Sequence, residues 1–148
     1  MKKLFIYYSL SGNGDIVSSF FKKNGYDICK VKTLEELPKN SFFRILSGGF
    51  KAMIGYKDNI EFNSNISEYD EIVIGSPIWN GRLSSPIFSL IDKIDLNGKK
   101  ICFVLYSGSG VSKGAFKQIL KKYGKVKIID LKEPKKYSNE LKKLEGII

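Results

Sequence analysis

The stretch that decides the fold is "LFIYYSLSGNGDIVSSFFKKNG", residues 4–25. It opens on a nearly continuous apolar, β-rich run. A strand of that kind is buried on both faces, as in a parallel sheet. The run then stops, and Ser9, Ser11, Gly12, Asn13 and Gly14 follow at once. Beyond them Ile16, Val17, Phe20 and Phe21 fall on one helical face, predicting a helix over 15–25. Lys22 and Lys23 occupy its last turn, where the helix dipole favours cations, and Gly25 suits the left-handed position that ends a helix. A short strand (3–9), a loop poor in side chains and a helix make the opening of an α/β unit.

The same alternation continues along the chain. "YDICKVK" (26–32), "YDEIVIGS" (69–76), "KKICFVLYSG" (99–108) and "KVKIIDL" (125–131) are the next strands. In 41–57 the residues Phe42, Ile45, Leu46, Phe50, Met53 and Ile54 approximate a helical stripe, which Gly48-Gly49 weakens; one bent helix or two short ones both fit. Ser85 is expected to cap a helix with Pro86 at its first position and Ile87, Leu90, Ile91 and Ile94 turned inward. Ser112 is expected to cap another, with Ala115, Phe116, Ile119 and Leu120, ended by Gly124. The tail "YSNELKKLEGII" reads as a last short helix capped by Ser138. Right-handed crossovers place such helices on both sides of the sheet. The expectation is one α/β domain over residues 1–148, a doubly wound sandwich of three layers with five parallel strands.

Composition narrows the function. At 148 residues and 43% hydrophobic, the chain has the material for one full core. No apolar run approaches the ~20 residues that span a bilayer. The start "MKKLFIYYSLSG" has a short apolar part and no small-residue cleavage site, so it is taken as strand one of a cytoplasmic protein without membrane association. The absence of histidine excludes histidine acid/base catalysis and histidine metal ligation. Cys29 and Cys102 lie in strand-like runs and are expected as buried thiols; two cysteines fall short of the usual four zinc ligands. Lysine and arginine total 25 against 15 acidic residues, a net charge of +10. The lysines are spread over the chain, with pairs at 22–23, 99–100, 121–122, 135–136 and 142–143. That distribution fits a solvated basic surface better than a nucleic-acid face, and it suits an anionic cofactor or an acidic protein partner.

In a parallel sheet the loops after strands one, three and four emerge at one edge. Here they are 9–14, 76–84 and 107–110, all polar and glycine-rich. In open α/β sheets ligands bind at that edge, where the strand order reverses. The first loop has anion chemistry: the hydroxyls of Ser9 and Ser11, backbone N–H groups freed by Gly12 and Gly14, and a helix N-terminus near Asn13. It is neither a P-loop nor G-x-G-x-x-G. The second loop holds the only tryptophan, Trp79, followed by the turn dipeptide Asn80-Gly81. The third, Ser107, Gly108, Ser109 and Gly110, lets a flat ring lie against the backbone. Plain turns, a core-capping Trp79 and a flexible linker are the competing readings of the three.

These residues resemble the flavodoxin family. "SLSGN" matches its S/T-x-S/T-G-N phosphate loop, and "GSPIWNG", Gly75 to Gly81, its G-S/T-P-I-W/Y-x-G loop. "SSPIFSLID" resembles its proline-started helix, and the likeness covers nearly the whole chain. The resemblance implies a short-chain flavodoxin-like protein with strand order 2-1-3-4-5 and non-covalent FMN. Ser9, Ser11, Gly12, Asn13 and Gly14 would hold the phosphate. Pro77, Ile78, Trp79, Asn80 and Gly81 would line one side of the ring, and Ser107, Gly108, Ser109 and Gly110 the other. Three features depart from the family. Gly14 stands where many flavodoxins have threonine, the third loop lacks their tyrosine, and the chain is basic where they are acidic. The expected function is a monomeric electron carrier for redox partner proteins with acidic docking surfaces, rather than an enzyme with its own substrate. The alternatives are an FMN-dependent NAD(P)H quinone or flavin reductase and a flavin-free binding module.

Overall fold

A computed structural model of the protein describes residues 1–34, 40–53 and 56–148. In chain order its elements are β1 (Lys3–Tyr7), α1 (Asn13–Lys23), β2 (Asp27–Lys30), β3 (Lys32–Thr33), α2 (Ser41–Met53), β4 (Ile60–Glu61), β5 (Glu71–Trp79), β6 (Arg82–Leu83), α3 (Ser85–Lys93), β7 (Lys100–Ser107), α4 (Lys113–Tyr123) and β8 (Lys127–Lys132). Two 3-10 segments, Ile66–Glu68 and Ser138–Gly146, complete the list.

The central sheet runs β2-β1-β5-β7-β8, with every neighbouring pair parallel. Counting those five strands alone, this is the expected order 2-1-3-4-5. Alternate residues of each strand feed different cores. Leu4, Ile6, Ile72, Ile74, Phe103 and Leu105 pack with Ile87, Leu90 and Ile91 of α3 and Ala115 and Ile119 of α4. Phe5, Tyr7, Val73, Cys102, Val104 and Tyr106 pack with Val17 and Phe21 of α1 and Leu144 of the C-terminal 3-10 helix. Burial on both faces explains why the strand sequences show no polar alternation. It also puts α1 on one face of the sheet and α3 and α4 on the other, as right-handed crossovers in opposite directions require. Both cysteines are free and buried, as expected.

Several boundaries differ from expectation, each for a local reason. Helix α1 starts at Asn13 and ends at Lys23, with Gly25 at φ +80° just beyond. Its buried pair is Val17 and Phe21, while Ile16 is exposed. The 26–32 segment splits into β2 and β3, because β3 turns away to pair with β4. Strand β5 runs past residue 76 to Trp79, since β6 gives its end an antiparallel partner. The N-cap of α3 is Ser84, not Ser85; the Ser85 hydroxyl donates instead to the buried Asp58, which also pairs with Lys51 of α2 at 2.9 Å. Leu120 of α4 is exposed, and the tail is a 3-10 helix entered from Tyr137. The segment 41–53 is one helix despite Gly48-Gly49. Ile54 and the side chains of Phe42, Ile45 and Met53 lie outside the described residues.

Candidate functional site

The chain leaves β1 for β2 on one side and β5 for β7 on the other, so the strand order reverses between β1 and β5. Loops leaving those two strands diverge and open a crevice at the carboxyl edge. All the residues expected to bind a ligand stand at the carboxyl ends of β1, β5 and β7.

The loop after β1 is held by its own serines. Ser9 Oγ accepts the Gly14 N–H at 3.1 Å, and Asn13 Nδ2 donates to Ser11 Oγ at 3.3 Å. Gly12, at φ +97°, is the N-cap of α1 and has no side chain to close the helix end. The first-turn N–H groups have no partner within the helix, and among the described residues only that of Gly14 finds one outside it, Ser9 Oγ. Gly14 is enforced by packing: a Cβ there would lie 2.5 Å from the Tyr106 hydroxyl and 2.8 Å from Ser9 Cβ. The fully buried Tyr106 hydroxyl donates to the Tyr8 carbonyl and ties the end of β1 to β7. Burial pushes that phenol far up, so it stays a neutral donor.

One carboxylate sits beside this anion cradle. Asp15 Oδ1 accepts from Tyr7 Oη at 2.8 Å and from Lys30 Nζ at 2.7 Å. Burial acts to raise its pKa, but the hydrogen bonds from Lys30 and Tyr7 outweigh that and hold it below the usual value. Its charge is therefore compensated locally. A lysine also reaches the loop from far along the chain. Lys135 Nζ donates to the Ser11 carbonyl at 3.2 Å, and its main-chain N–H donates to Asn13 Oδ1 at 3.0 Å.

The second segment is a hairpin, not the open loop expected over 76–84. Pro77, Ile78 and Trp79 belong to β5; Asn80 (φ +50°) and Gly81 (φ +74°) turn the chain into β6. Positive φ at both central residues is what a type I′ hairpin demands. Its base is pinned by a buried contact between Ser76 Oγ and Ser84 Oγ at 3.1 Å. Its outer strand is held by Gln118, which accepts the Leu83 N–H at 2.9 Å. Trp79 is half-buried, edge-to-face on Tyr8, with its ring against Gly48 of α2. A Cβ at Gly48 would come within 3.0 Å of that ring, which accounts for a glycine inside a helix. Gly81 O accepts the Ala115 N–H at 2.8 Å, so α4 docks on the turn.

The third segment is an ordered turn rather than a flexible linker. Ser107 Oγ accepts the Gly110 N–H at 2.9 Å, and Ser109 Oγ accepts the Val111 N–H at 3.2 Å. Gly110 (φ +72°) rests on Lys132, where a Cβ would meet Lys132 Cβ at 3.0 Å. Asp130 anchors the far end by accepting the Ser112 N–H at 3.1 Å. Burial lifts the Asp130 carboxyl above its ordinary pKa.

A phosphorylated planar ring fits this rim. At Ser9–Gly14 the serine hydroxyls and helix-end N–H groups without a partner among the described residues offer donors to an anion. A Cβ at Gly81 or Gly108 would meet no atom within 4 Å, so the backbone there is open to a flat ring. A groove of about 860 Å³ lies at the opposite, amino edge, lined by Asp92, Lys99, Lys122, Tyr123 and Lys127 among others. It lies away from the reversal of strand order and from the loops with anion chemistry, so the carboxyl edge is the candidate site. Among the described residues no cluster of histidine, cysteine, aspartate or glutamate could hold a metal ion, and no helix is long and apolar enough to cross a membrane.

Sequence reasoning missed the residues that act from a distance. Lys135, Gln118 and Gly48 carry no local signal for the rim, because their contacts form only once the sheet is assembled.

No curated protein sequence matches the chain. A flavoprotein from Lactobacillus acidophilus solved in complex with FMN shares 20% identity and covers 93% of this chain and 97% of its own, with a TM-score of 0.73. A Bacteroides eggerthii protein assigned provisionally as a flavoprotein shares 20% identity over 95% and 96% of the two chains, with a TM-score of 0.70. The apo-form of the Lactobacillus acidophilus flavoprotein matches at 22% identity over 86% and 88%, with a TM-score of 0.66. These likenesses show the flavodoxin-like fold. The sequence model described as NADPH-dependent FMN reductase matches residues 1–134, the whole parallel sheet and its crossover helices. The chain belongs to the family described as NADPH-dependent FMN reductase; of the expected resemblance, the flavodoxin-like fold is shown, and a short-chain flavodoxin in particular is not.

Proposed function

We propose that the protein is an FMN-dependent oxidoreductase that takes reducing equivalents from NADPH and passes them to a flavin or quinone acceptor. The cofactor is FMN. Family membership favours this reductase reading over the electron carrier expected from sequence. The observation that carries the site is the rim itself, where three backbone-rich segments meet at the reversal of strand order.

Bound FMN supplies the hydride and electron chemistry, and the chain supplies position. Ser9, Ser11 and the first-turn N–H groups of Gly12, Asn13 and Asp15 bind the phosphate. The hairpin residues Pro77, Ile78, Trp79, Asn80 and Gly81 support one side of the ring. Ser107, Gly108, Ser109 and Gly110 support the other. Trp79, braced by Tyr8 and Gly48, keeps the hairpin from folding away from the sheet.

The test is anaerobic addition of NADPH to the FMN-loaded protein. Loss of the oxidised flavin's visible absorption, restored by a quinone or free flavin, is the expected result. An FMN complex that NADPH leaves oxidised, but that dithionite reduces, would return the protein to the carrier reading. A chain that binds no flavin would be a flavin-free module of this fold.

A further inference from the structure

We infer that Lys135 is the charge partner of the cofactor phosphate and makes the site select FMN over unphosphorylated riboflavin. The inference rests on the FMN reading above. The loop Ser9–Gly14 contains no cation of its own. Lys30, the nearby lysine of β2, is committed to Asp15 at 2.7 Å. Lys135 instead lies over the N-cap of α1. A Cβ at Gly12 would lie 3.3 Å from both its Cδ and its Nζ, so the missing side chain of Gly12 is what admits it. Its ammonium meets a carbonyl, that of Ser11. Among the described residues no carboxylate pairs with it. A carbonyl is a modest partner for an ammonium; a phosphate dianion is a stronger one.

The backbone presets this placement. The Glu133 N–H donates to the Ser107 carbonyl at 3.0 Å, which ties the segment after β8 to the third turn of the rim. Glu133 takes φ +35°, and its carbonyl accepts the Lys136 and Tyr137 N–H groups at 2.8 and 2.9 Å, forming a tight turn. The turn brings the Lys135 main chain to Asn13 and sends its neighbours elsewhere. Lys132 and Lys136 lie over the Tyr137 ring, 5.4 and 5.3 Å from its centre. Lys135 is thus the lysine of this cluster that faces the phosphate loop. It also stands one residue beyond the segment shared with the family, residues 1–134, so family membership does not assign it.

The test is flavin binding to the full-length apoprotein, followed by fluorescence quenching, for the wild type, Lys135→Ala and Lys135→Arg. Removing a charge-assisted hydrogen bond should weaken FMN roughly ten- to a hundredfold. Riboflavin affinity should stay unchanged, Lys135→Arg should keep most of the FMN affinity, and added salt should weaken FMN in the wild type more than in Lys135→Ala. Unchanged FMN affinity in Lys135→Ala would overturn the inference. So would an equal loss for FMN and riboflavin, which would make Lys135 only an organiser of the loop. A wild-type protein that binds neither flavin would overturn the FMN reading itself and this inference with it.

Discussion

Gly14 leaves no room for the threonine that many flavodoxins carry at the matching position. The space is filled by the Tyr106 hydroxyl and by Tyr7 Cδ2, 2.5 and 2.8 Å from where a Cβ would stand. Gly14→Ala should therefore destabilise the protein by about 1–3 kcal/mol, as overpacking does, and weaken FMN by displacing Ser9. A denaturation midpoint equal to wild type would show that Tyr106 can give way at no cost. The same residue shows what was legible. Its place in a glycine-rich loop before α1 could be read from "SLSGNG", but the reason for its lack of a side chain could not, because Tyr106 comes from strand β7. A second residue sets acid stability. Glu71 is buried, accepts from Tyr26 and pairs with Lys100 at 2.9 Å. Burial raises its pKa, but the hydrogen bonds from Lys100 and Tyr26 win, so the folded value lies below the ordinary 4.5. A carboxyl lowered on folding stabilises fully above its unfolded pKa and loses that contribution as pH falls through the folded one. Glu71→Gln should make stability fall less steeply below about pH 4.5, read from denaturant midpoints across acid pH. An identical pH profile would mean that the pair does not titrate with folding.

The hairpin β5–β6 is the element on which the proposed ring site depends. Asn80-Gly81 announced a turn, yet β6 is only two residues long and gave no strand signal of its own. It forms because Gln118 and Ser76 hold it from outside and beneath, contacts that sequence spacing does not display. Helix α2 gave a similar partial reading. The glycine pair looked like a weak point, and it is where the Trp79 ring approaches. Gly81→Val isolates the conformational demand, since a Cβ there meets nothing within 4 Å while φ is +74°. The left-handed backbone should cost about 1–2 kcal/mol with a β-branched side chain, and FMN affinity should fall with it. Gly81→Asn, which tolerates that region, should stay near wild type. Equal behaviour of the two variants would argue that the turn rearranges freely.

For the molecule as a whole, the topology was legible and the chemistry only in part. Near-continuous apolar strands separated by helical periods specified a parallel sheet covered on both faces, and loop order placed three glycine-rich segments at one edge. The sequence pointed to an electron carrier with a reductase as the alternative, since both use the same rim; the family match favours the reductase. The contribution of the chain beyond β8 was invisible, since Lys135 meets its loop 124 residues away in sequence. The net charge of +10 belongs to this scale as well. It should speed encounter with anionic NADPH, so kcat/KM for NADPH should fall as ionic strength rises, and a flat salt profile would deny the charge that role. The most direct measurement is a crystal structure of the protein grown with FMN. The expected density has the phosphate against Ser9, Ser11 and the start of α1, and the ring between Trp79–Gly81 and Ser107–Gly110. Flavin seated in the amino-edge groove beside Lys99 and Lys127, with the carboxyl edge bare, would contradict it.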